Sequence, residues 1–449
     1  MTYRRAISLF SNCGAGDVGY KNAGFRFDVM AELDARRLEV CLLNHKGAIG
    51  VPGDLRETWP QVIEKFRSKA GNVRPSLLAA CPPCQGMSSV RSKRGREDDP
   101  DAGSKDERNL LVTVISQVAL ELRPSVVVVE NVPAFLTKKV RHPVTKEAIS
   151  AAKLLIESLR IDYQVFPIVA DLCDYGVPQT RKRAFLTFVR RDVRGLKNLL
   201  TENRAPYPRP THFVEYGGPS PITLRHALES FGLPSLDAST KERATSQMAG
   251  GLHSVPIWQD RMYDMVSAIP TDMGASAWQN DKCGNCGVVE VEEDDAICRC
   301  CGNPLLRPVV INKEGAYRLI KGFRSSSYRR MSPDQPASTI TTASGHVGSD
   351  NTIHPSENRL LSTLECALIQ TFPEDFNWGQ ALKKWGHTNL RSMIGEAVPP
   401  HFTRLHGAVL HGLLTGNWTI PPISIHDTRC KAALKRLGYN DLFSPTESS

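Results

Sequence analysis

The sequence has no apolar run close to the roughly twenty residues needed to cross a membrane, and no leader with a basic start and an apolar middle. These two absences predict a cytoplasmic protein without a membrane partner. The 12 cysteines are scattered along 449 residues rather than concentrated in a short secreted domain. Their distribution disfavours a disulfide framework and favours reactive or metal-bound thiols.

The chain has fewer acidic than basic residues: 47 Asp and Glu residues compared with 56 Lys and Arg residues, which gives a formal net charge of +9. The excess permits a polyanionic partner without proving one. A hydrophobic fraction of 41% and a charged fraction of 23% are typical of a globular protein. Because 449 residues exceed one ordinary core, we expect two domains, with room for a smaller inserted module.

The first glycine-containing turn lacks both a P-loop lysine and the full three-glycine dinucleotide fingerprint. Residues 4–10 predict a strand that ends in the turn Ser11–Gly16, and a second strand, Phe27–Glu32, ends in a carboxylate. Such a turn lets the backbone approach a ligand, and the acid can hold two ribose hydroxyls. We therefore expect adenosine without a phosphate tail. Asp54 is a second acid, placed to reach an adenine amine, and an ordinary solvated loop is the alternative.

A cysteine and a glutamate each follow a predicted buried strand. The apolar run Leu77–Ala80 ends abruptly in Cys81–Gly86, where two prolines fix the backbone ahead of Cys84 and a glycine loosens it afterwards. A thiolate on such a loop can attack an electrophile. The valine-rich strand Ser125–Val129 delivers Glu130 to the edge where doubly wound sheets keep their sites. The pair suits nucleophilic chemistry assisted by a proton donor; a packing cysteine and a capping glutamate are the alternatives.

Two arginines precede the predicted strand Ala184–Val189. Arg181 and Arg183 are two residues apart, so on an extended chain they point the same way and could grip one anionic group together. Ordinary surface arginines are the alternative. The basic loop Ser88–Arg96 could close over a phosphate backbone, unless it is plain surface disorder.

Helical spacing and alternation predict the remaining elements. Periodic apolar residues indicate helices, alternating residues indicate a strand, and proline marks a linker. The segments are helices over Asp34–His45, Asn109–Leu122, Lys146–Arg160 and Ile222–Phe231, a strand over Tyr163–Ala170, a linker over Tyr207–His212, and a small helix with a loose tail after Thr428.

Two Cys-x-x-Cys knuckles, each followed by a glycine, form a zinc-ribbon pattern. Cys283 and Cys286 are separated by eleven residues from Cys298 and Cys301, so four thiolates can close a tetrahedral site on two turns. Cys300 could replace Cys298 or Cys301, although only those two reproduce the spacing. A closed site leaves no open position for catalysis, and the acidic run between the knuckles would repel phosphate. We expect structural zinc.

With these pieces in order, the chain resembles the DNA cytosine-5 methyltransferases. The resemblance covers roughly two thirds of the chain in the family's order. Its segments are the turn Phe10–Gly19, Pro-Pro-Cys-Gln-Gly around Cys84, Glu-Asn-Val at Glu130, Gln-x-Arg-x-Arg at Gln179, Tyr328–Pro333 with Ser338–Thr342, Arg359–Phe376, and Gly395–Pro400.

The resemblance implies a Rossmann-like α/β fold dependent on S-adenosylmethionine, together with a second, smaller target-recognition domain that carries the knuckle. The catalytic domain is then encoded in two pieces. The expected divisions are residues 1–190 for its first part, 191–330 for the target-recognition domain with the knuckle at 283–301, 331–425 for the end of that domain and the return segment, and 426–449 for a C-terminal tail.

The resemblance also implies a mechanism. The target cytosine is flipped out of duplex DNA, and Cys84 attacks its C6 atom. Glu130 holds N3 and the exocyclic amine, Arg181 helps to orient the base, and Arg183 supports the loop. C5 then takes the methyl group from S-adenosylmethionine.

For the cofactor, the resemblance places residues from the first turn, the next two strands and the far end of the chain around one pocket. Phe10 lies against adenine, Glu32 holds the ribose and Asp54 meets the adenine amine. The chain departs from the family at Asn12 and Glu396, and Glu396 would be harmful if it faced the cofactor's carboxylate. The remaining expected cofactor residues are Ser11, Gly14, Leu55, Pro83, Leu110 and Val398.

The implied partner is double-stranded DNA, marked by a monomeric enzyme beside a restriction or anti-phage defence system and its proteins. A basic segment with interleaved aromatics after the knuckle is a candidate DNA contact, and a solvated basic face is its alternative. Two other functions stay open: methylation of an RNA cytosine by the same fold, and a catalytically silent DNA-binding partner. The segment comprises Lys313, Tyr317, Arg318, Lys321, Phe323, Arg324, Tyr328, Arg329 and Arg330.

Overall fold

The computed structural model describes residues 3–83, 110–289, 291–320, 326–349 and 351–443. The expected nucleophile Cys84 and the basic loop Ser88–Arg96 therefore lie outside the described residues, as do Lys321, Phe323 and Arg324. None of the helices in these ranges combines the length and the hydropathy that a bilayer crossing requires.

A central seven-stranded sheet organises the described chain and confirms the predicted α/β class. The strands are β1 (Arg4–Leu9), β2 (Phe25–Glu32), β3 (Ile49–Pro52), β4 (Leu77–Ala80), β5 (Val126–Asn131), β6 (Lys139–Arg141), β7 (Ala148–Ser150), β8 (Tyr163–Asp171), β9 (Lys182–Arg190), β10 (Arg204–Pro208), β11 (Val309–Ile311), β12 (Tyr317–Leu319) and β13 (Pro422–Ser424).

The helices cover both faces of this sheet and continue beyond it. They are α1 (Ala15–Asn22), α2 (Ala35–Asn44), α3 (Leu55–Ala70), α4 (Val112–Leu122), α5 (Ala151–Leu159), α6 (Arg194–Thr201), α7 (Leu224–Phe231), α8 (Lys241–Ala244), α9 (Asp260–Ser267), α10 (Thr363–Ile369), α11 (Ala381–Glu396), α12 (Pro400–Thr415) and α13 (Thr428–Leu437), with short 3₁₀ turns at Pro133–Leu136, Leu172–Tyr175, Val214–Tyr216, Met248–Gly251 and Ala277–Gln279.

The strand order β3-β2-β1-β4-β5-β9-β8 determines where a ligand can bind. Strands β1 to β5 run parallel, whereas β9 is antiparallel to both β5 and β8. The chain leaves β1 toward β2 on one side and later returns to its other side as β4. At such a reversal the loops after the two strands part and open a crevice at the carboxyl edge.

The valines of β5 explain why the sheet is buried on both faces. Val127 and Val129 belong to the hydrophobic core shared with α3, α4 and α5, whereas Val126 and Val128 belong to the core shared with α1 and α12. All four valines are at most 2% exposed. A continuous β-branched run is typical of a central strand covered by helices on both sides.

The far end of the chain returns to the sheet through α12, which lies against α1. The approach is so close that a Cβ atom on Gly19 would overlap Thr403 and the carbonyl of Pro400. Thr403 also donates a hydrogen bond to the Gly16 carbonyl at 2.6 Å. Residues near position 400 therefore form one wall of the core that the first residues begin.

Three segments differ from the sequence-based expectations. Helix α5 begins after Ser150, because residues 148–150 pair with β6 and the Ser150 hydroxyl caps the helix. The expected linker Tyr207–His212 begins inside β10, which pairs with β13, and the Tyr207 hydroxyl is buried against the carbonyls of β8 and β9. The small helix predicted after Thr428 is confirmed as α13, but it packs into the core rather than belonging to a loose tail, because Cys430 and Leu437 are fully buried.

Candidate active site

A cavity opens at the carboxyl edge between β1 and β4, where the strand order reverses. Its wall includes residues from β1, α1, β4, β5, β9 and the segment after α11. The cavity brings together six of the expected site residues. They are Phe10, Ser11, Asn12, Glu130, Glu396 and Val398.

The first turn is shaped by three residues with left-handed backbone, Phe10 (φ 57°), Asn12 (φ 49°) and Gly14 (φ 74°). Asparagine tolerates this conformation better than most side chains, so the departure at Asn12 is compatible with the turn. The Asn12 amide side chain donates to the Met393 carbonyl at 2.8 Å and thereby joins the turn to α11. Gly14 lies outside the cavity wall, and a Cβ atom there would come within 2.8 Å of Cys41 Sγ.

Glu32 ends β2 as predicted and orders the turn. Its carboxylate accepts from the backbone amides of Asn12 at 2.8 Å and Asp34 at 3.1 Å. Burial raises the pKa of Glu32, and these two amides oppose that change. Its side chain is not part of the cavity wall, so the ribose contact stays a prediction.

Asp54 caps α3. Its carboxylate accepts from the Arg56 backbone amide at 2.9 Å and forms an exposed ion pair with the Arg56 guanidinium. The hydrogen bond from Arg56 holds the pKa of Asp54 below its usual range. Leu55 is buried beneath it, and neither residue lines the cavity. The capping role is what the local geometry establishes, and the adenine contact stays a prediction.

Glu130 reaches the cavity from the carboxyl end of β5 and forms an ion pair with Arg183. Arg183 Nε lies 2.9 Å from Glu130 Oε1, and both side chains are largely buried. Next to this pair, the Asn131 side chain donates to the Pro82 carbonyl at 3.0 Å. The loop that leads to Cys84 is therefore anchored beside Glu130. The role of Asn131 was not predicted, although it stands within the Glu-Asn-Val motif.

Within the described part of the chain, Arg181 and Arg183 contact different groups, whereas their spacing predicted a shared one. The Arg181 guanidinium is buried and donates to the backbone carbonyls of Ile340 at 3.1 Å and of Gly395 and Ala397 at 2.9 Å. Arg183 instead turns to Glu130. Alternation places side chains on one face of a strand, but contacts beyond the strand decide what each guanidinium meets.

Glu396 lines the cavity but does not carry an isolated charge, because it forms an ion pair with Arg37 of α2. Val398 contacts α1, where a Cβ atom on Gly16 would lie 3.2 Å from it. Leu110 is partly buried at the edge of the core, and it lies outside the cavity wall together with Pro83.

Two buried groups in the cavity wall were missed by the sequence-based assignment of site residues. The Asp17 carboxylate accepts a hydrogen bond from the Ser8 hydroxyl at 2.7 Å, and burial raises the pKa of Asp17 to about 7. Cys81, the first residue of the loop Cys81–Gly86, also lines the cavity, and burial raises the pKa of its thiol well above the usual value. An acid directly after a small-residue turn is the signal that could have identified Asp17.

The four knuckle cysteines converge as their spacing predicts. The Sγ atoms of Cys283, Cys286, Cys298 and Cys301 all lie within 4.8 Å of one another, and two of the pairs are 3.6 Å apart. Four sulfurs at about 2.3 Å from one Zn²⁺ ion would have separations in this range. Cys300 is exposed and does not belong to the cluster. The donor set and its distances therefore fit a tetrahedral thiolate site.

Arg307 fastens the acidic hairpin between the knuckles to the rest of the chain. Its buried guanidinium donates to the carbonyl of Asn280 at 2.7 Å and to those of Glu292 at 2.5 Å and Asp295 at 3.1 Å. On the outer surface, Arg299 forms ion pairs with the side chains of Glu292 and Asp295. Part of the acidic charge of the hairpin is therefore neutralised locally.

Arg330 corrects the expectation of a continuous basic DNA contact after the knuckle. It is fully buried, and its guanidinium donates to the carbonyls of Val266, Ile269 and His354 at 3.0 to 3.1 Å. An arginine held in this way cannot meet a phosphate. By contrast, the β11–β12 hairpin presents Tyr317 and Arg318 to solvent.

Comparisons with known proteins find one family and several relatives that match most of the chain. The family model for C-5 cytosine-specific DNA methylases matches residues 4–408. The type II methyltransferase M1.HgaI of Avibacterium volantium is 25% identical over 406 residues, which cover 88% of this chain and 94% of that protein. The type II methyltransferase M.DdeI of Desulfomicrobium norvegicum is 26% identical over 411 residues, which cover 88% of this chain and 85% of that protein.

Solved structures share the fold. A prophage-encoded protein of E. coli, described as a candidate DNA modification methyltransferase, superimposes with a TM-score of 0.52 at 20% identity, covering 92% of this chain and 99% of that one. Spodoptera frugiperda DNMT2 gives a TM-score of 0.50 at 14% identity, covering 91% of this chain and 99% of that one. At these identities the likeness establishes the fold alone.

Proposed function

Because the chain belongs to the C-5 cytosine-specific DNA methylase family, we propose that it transfers a methyl group from S-adenosylmethionine to C5 of a cytosine flipped out of duplex DNA. The observation that carries the proposal is Glu130 in the wall of the cavity, held by its ion pair with Arg183, beside the anchored loop that leads to Cys84. An acid at this place can assist a nucleophile that arrives on the neighbouring loop.

Cys84 is the proposed nucleophile. Its thiolate forms a bond to C6 of the cytosine ring, and the displaced ring electrons make C5 nucleophilic. Glu130 hydrogen-bonds N3 and the exocyclic amine, which stabilises the charge that develops on the ring. After methyl transfer, the C5 proton leaves, its bonding electrons restore the ring double bond, and the bond between carbon and sulfur breaks. Arg183 keeps Glu130 in place, and Arg181 helps to orient the base indirectly, because its buried guanidinium holds the carbonyls of Gly395 and Ala397 beside the cavity wall.

S-adenosylmethionine would supply the methyl group when bound. We propose that the cavity formed by the first turn and the return segment holds it, with the adenosine end reaching toward β2 and β3. The proposed cofactor-binding residues are those expected from the sequence. Those residues are Phe10, Ser11, Asn12, Gly14, Glu32, Asp54, Leu55, Pro83, Leu110, Glu396 and Val398.

Recognition of the DNA target is assigned to the middle of the chain. Zinc held by the four knuckle thiolates would stabilise a target-recognition domain at residues 191–330, which contains the exposed β11–β12 hairpin as a DNA contact. Residues 331–425 would end that domain and complete the catalytic domain, and 426–449 would follow as the terminal segment. Restriction-modification or anti-phage defence is the proposed setting, with a monomer acting on host DNA.

Replacing Cys84 with serine tests the chemistry, and Cys300→Ser is the control because Cys300 is exposed and lies outside both the cavity wall and the four-cysteine cluster. We expect Cys84→Ser to abolish transfer of labelled methyl groups to duplex DNA while leaving S-adenosylmethionine affinity intact. Full activity in Cys84→Ser would refute the nucleophile. Offering tRNA and duplex DNA together decides the substrate, and sequencing of bisulfite-treated host DNA identifies the modified site.

A further inference from the structure

The cavity is lined by carboxyl groups that differ in how their charge is balanced. Its ionisable acids are Asp17, Glu130 and Glu396, and among the described residues that line it there is no lysine, arginine or histidine. Glu130 is paired with Arg183, and Glu396 is paired with Arg37. Within the described ranges Asp17 has no ion-pair partner. Its charge is therefore the one that the protein leaves open toward the cavity.

Asp17 lies deep in the wall, in the first turn of α1, and is 7% exposed. Its interactions are short-range and neutral: the Ser8 hydroxyl donates to it from β1 at 2.7 Å. An ionised carboxylate in such a place is costly unless a cation or several hydrogen bonds satisfy it. A single hydroxyl does not offset that cost, so the site is suited to a ligand that brings positive charge.

The geometry points to Asp17 as the counter-charge for the positively charged methionine end of S-adenosylmethionine, an assignment that rests on the proposed function. The ligand carries two cationic groups, a sulfonium and an ammonium, on the part that lies beyond the ribose. Asp17 directly follows the glycine-containing turn and shares the cavity wall with Glu130, and both carboxyl groups interact electrostatically with Tyr20 and Cys81, so Asp17 is near the acid beside which the methyl group must be presented. Glu32 and Asp54, the acids proposed for the adenosine end, lie outside this cavity wall.

A purely structural role is the competing explanation. In that case the hydrogen bond between Ser8 and Asp17 only ties β1 to α1, and loss of the carboxylate would weaken the whole pocket. The two roles differ in which ligands they affect. A counter-charge matters only for ligands that carry the cationic end, whereas a structural tie matters equally for every ligand of the pocket.

The experiment measures the affinity of the full-length protein for three ligands by titration calorimetry. S-adenosylmethionine carries both cationic groups, S-adenosylhomocysteine keeps only the ammonium, and 5′-methylthioadenosine has neither. The variant Asp17→Asn removes the charge but keeps the shape and the Ser8 contact. Ser8→Ala is the matched control, because it removes the hydrogen bond and keeps the carboxylate. Thermal melts of each variant establish that it is folded.

We expect Asp17→Asn to weaken S-adenosylmethionine binding at least tenfold, S-adenosylhomocysteine binding by a smaller factor, and 5′-methylthioadenosine binding less than twofold. In Ser8→Ala the relative affinities for the three ligands should stay as in the wild type. Equal losses for all three ligands, or no loss for S-adenosylmethionine, would overturn the assignment, as would a wild-type protein that binds none of them. A wild type that binds the ligands but transfers no methyl group would instead refute the proposed function alone.

Discussion

Arg37 of α2 forms an ion pair with Glu396 at the end of α11, across 359 positions of sequence. Arg37 also donates to the Ser392 hydroxyl at 3.1 Å, so its guanidinium is tied to two points of α11. Glu396 is one of the departures from the family pattern that raised the question of repulsion against the cofactor's carboxylate. The ion pair answers it, because a neutralised carboxylate in the cavity wall repels an anion far less than an isolated one.

Removing the Arg37 guanidinium should therefore leave the negative charge of Glu396 without its neutralising partner. We expect Arg37→Gln to weaken S-adenosylmethionine binding about tenfold, and the double variant Arg37→Gln/Glu396→Gln to recover most of that loss. Titration calorimetry measures all members of the cycle. Lys384→Gln is the control, because Lys384 forms an exposed ion pair with Glu39 between the same two helices at 2.6 Å. A double variant as weak as Arg37→Gln would show that Arg37 acts without Glu396.

The Glu130 carboxylate should matter for methyl transfer rather than for cofactor binding. We expect Glu130→Gln to reduce kcat by about 10²- to 10⁴-fold, since an amide cannot transfer a proton to the ring. The change in S-adenosylmethionine affinity should stay within twofold. Glu121→Gln serves as the control, because Glu121 is exposed and forms a surface ion pair with Arg67. Single-turnover transfer with labelled cofactor measures the rate, and an unchanged rate would remove Glu130 from the mechanism.

The four knuckle thiolates should hold one zinc ion per chain. We expect Cys283→Ser and Cys298→Ser to lose the metal and to lower the melting temperature of the protein, because metal binding contributes directly to the stability of small thiolate sites. Elemental analysis of purified protein measures the content. Cys300→Ser is the matched control and should keep its zinc, since Cys300 is exposed and outside the cluster. Wild-type protein without zinc after expression in zinc-supplemented medium would contradict the site.

Asp17 should make the ligand-free protein less stable as the pH rises. Its folded-state pKa of about 7 lies above the ordinary aspartate value of 3.8 because of burial. The folded protein therefore holds a proton that the unfolded chain releases, and this contribution is fully present below pH 4 and is lost between about pH 4 and 7. The groups that interact electrostatically with Asp17 are Tyr20, Cys41 and Cys81.

Melting temperatures of wild type and Asp17→Asn over this pH range provide the measurement. The wild type should lose stability relative to the variant by ~4 kcal/mol at most between pH 4 and 7. Saturating S-adenosylmethionine should reduce the difference, since a bound cation compensates the ionised carboxylate. Parallel pH profiles for the two proteins would show that Asp17 titrates normally in the folded state.

Local sequence patterns were sufficient to predict the elements that depend only on residues close to them in the chain. The valine run of β5 predicts a strand buried on both faces. The position of Glu32 as the last residue of β2 is likewise predicted from the residues just before it. The knuckle cysteines converge because each turn is closed by its own chain: the Gly287 and Gly302 amides donate to the Cys283 and Cys298 carbonyls at 2.9 Å. Such features require no knowledge of distant residues.

Long-range contacts explain the misassignments. Arg181 and Arg183 occupy equivalent positions of an alternating strand. However, Arg181 donates to the carbonyls of residues 340, 395 and 397, whereas Arg183 pairs with Glu130. Arg330 belongs to a basic segment whose composition predicts a DNA contact, but its guanidinium donates to carbonyls of α9 and of residue 354. A charged side chain is satisfied by whatever polar groups the fold brings to it, and sequence spacing does not reveal them.

The sequence by itself determined the α/β class, the order of strands and helices around the first turn, the motifs of the family and the cysteine spacing of the knuckles. These follow from periodicity and from short-range chemistry. Only the tertiary structure decided that Asn12 reaches α11, that Arg37 neutralises Glu396 and that Asp17 lies in the cavity wall without an ion-pair partner among the described residues. The reason is physical: the energy of a buried charge depends on which groups surround it, and here those groups come from opposite ends of the chain.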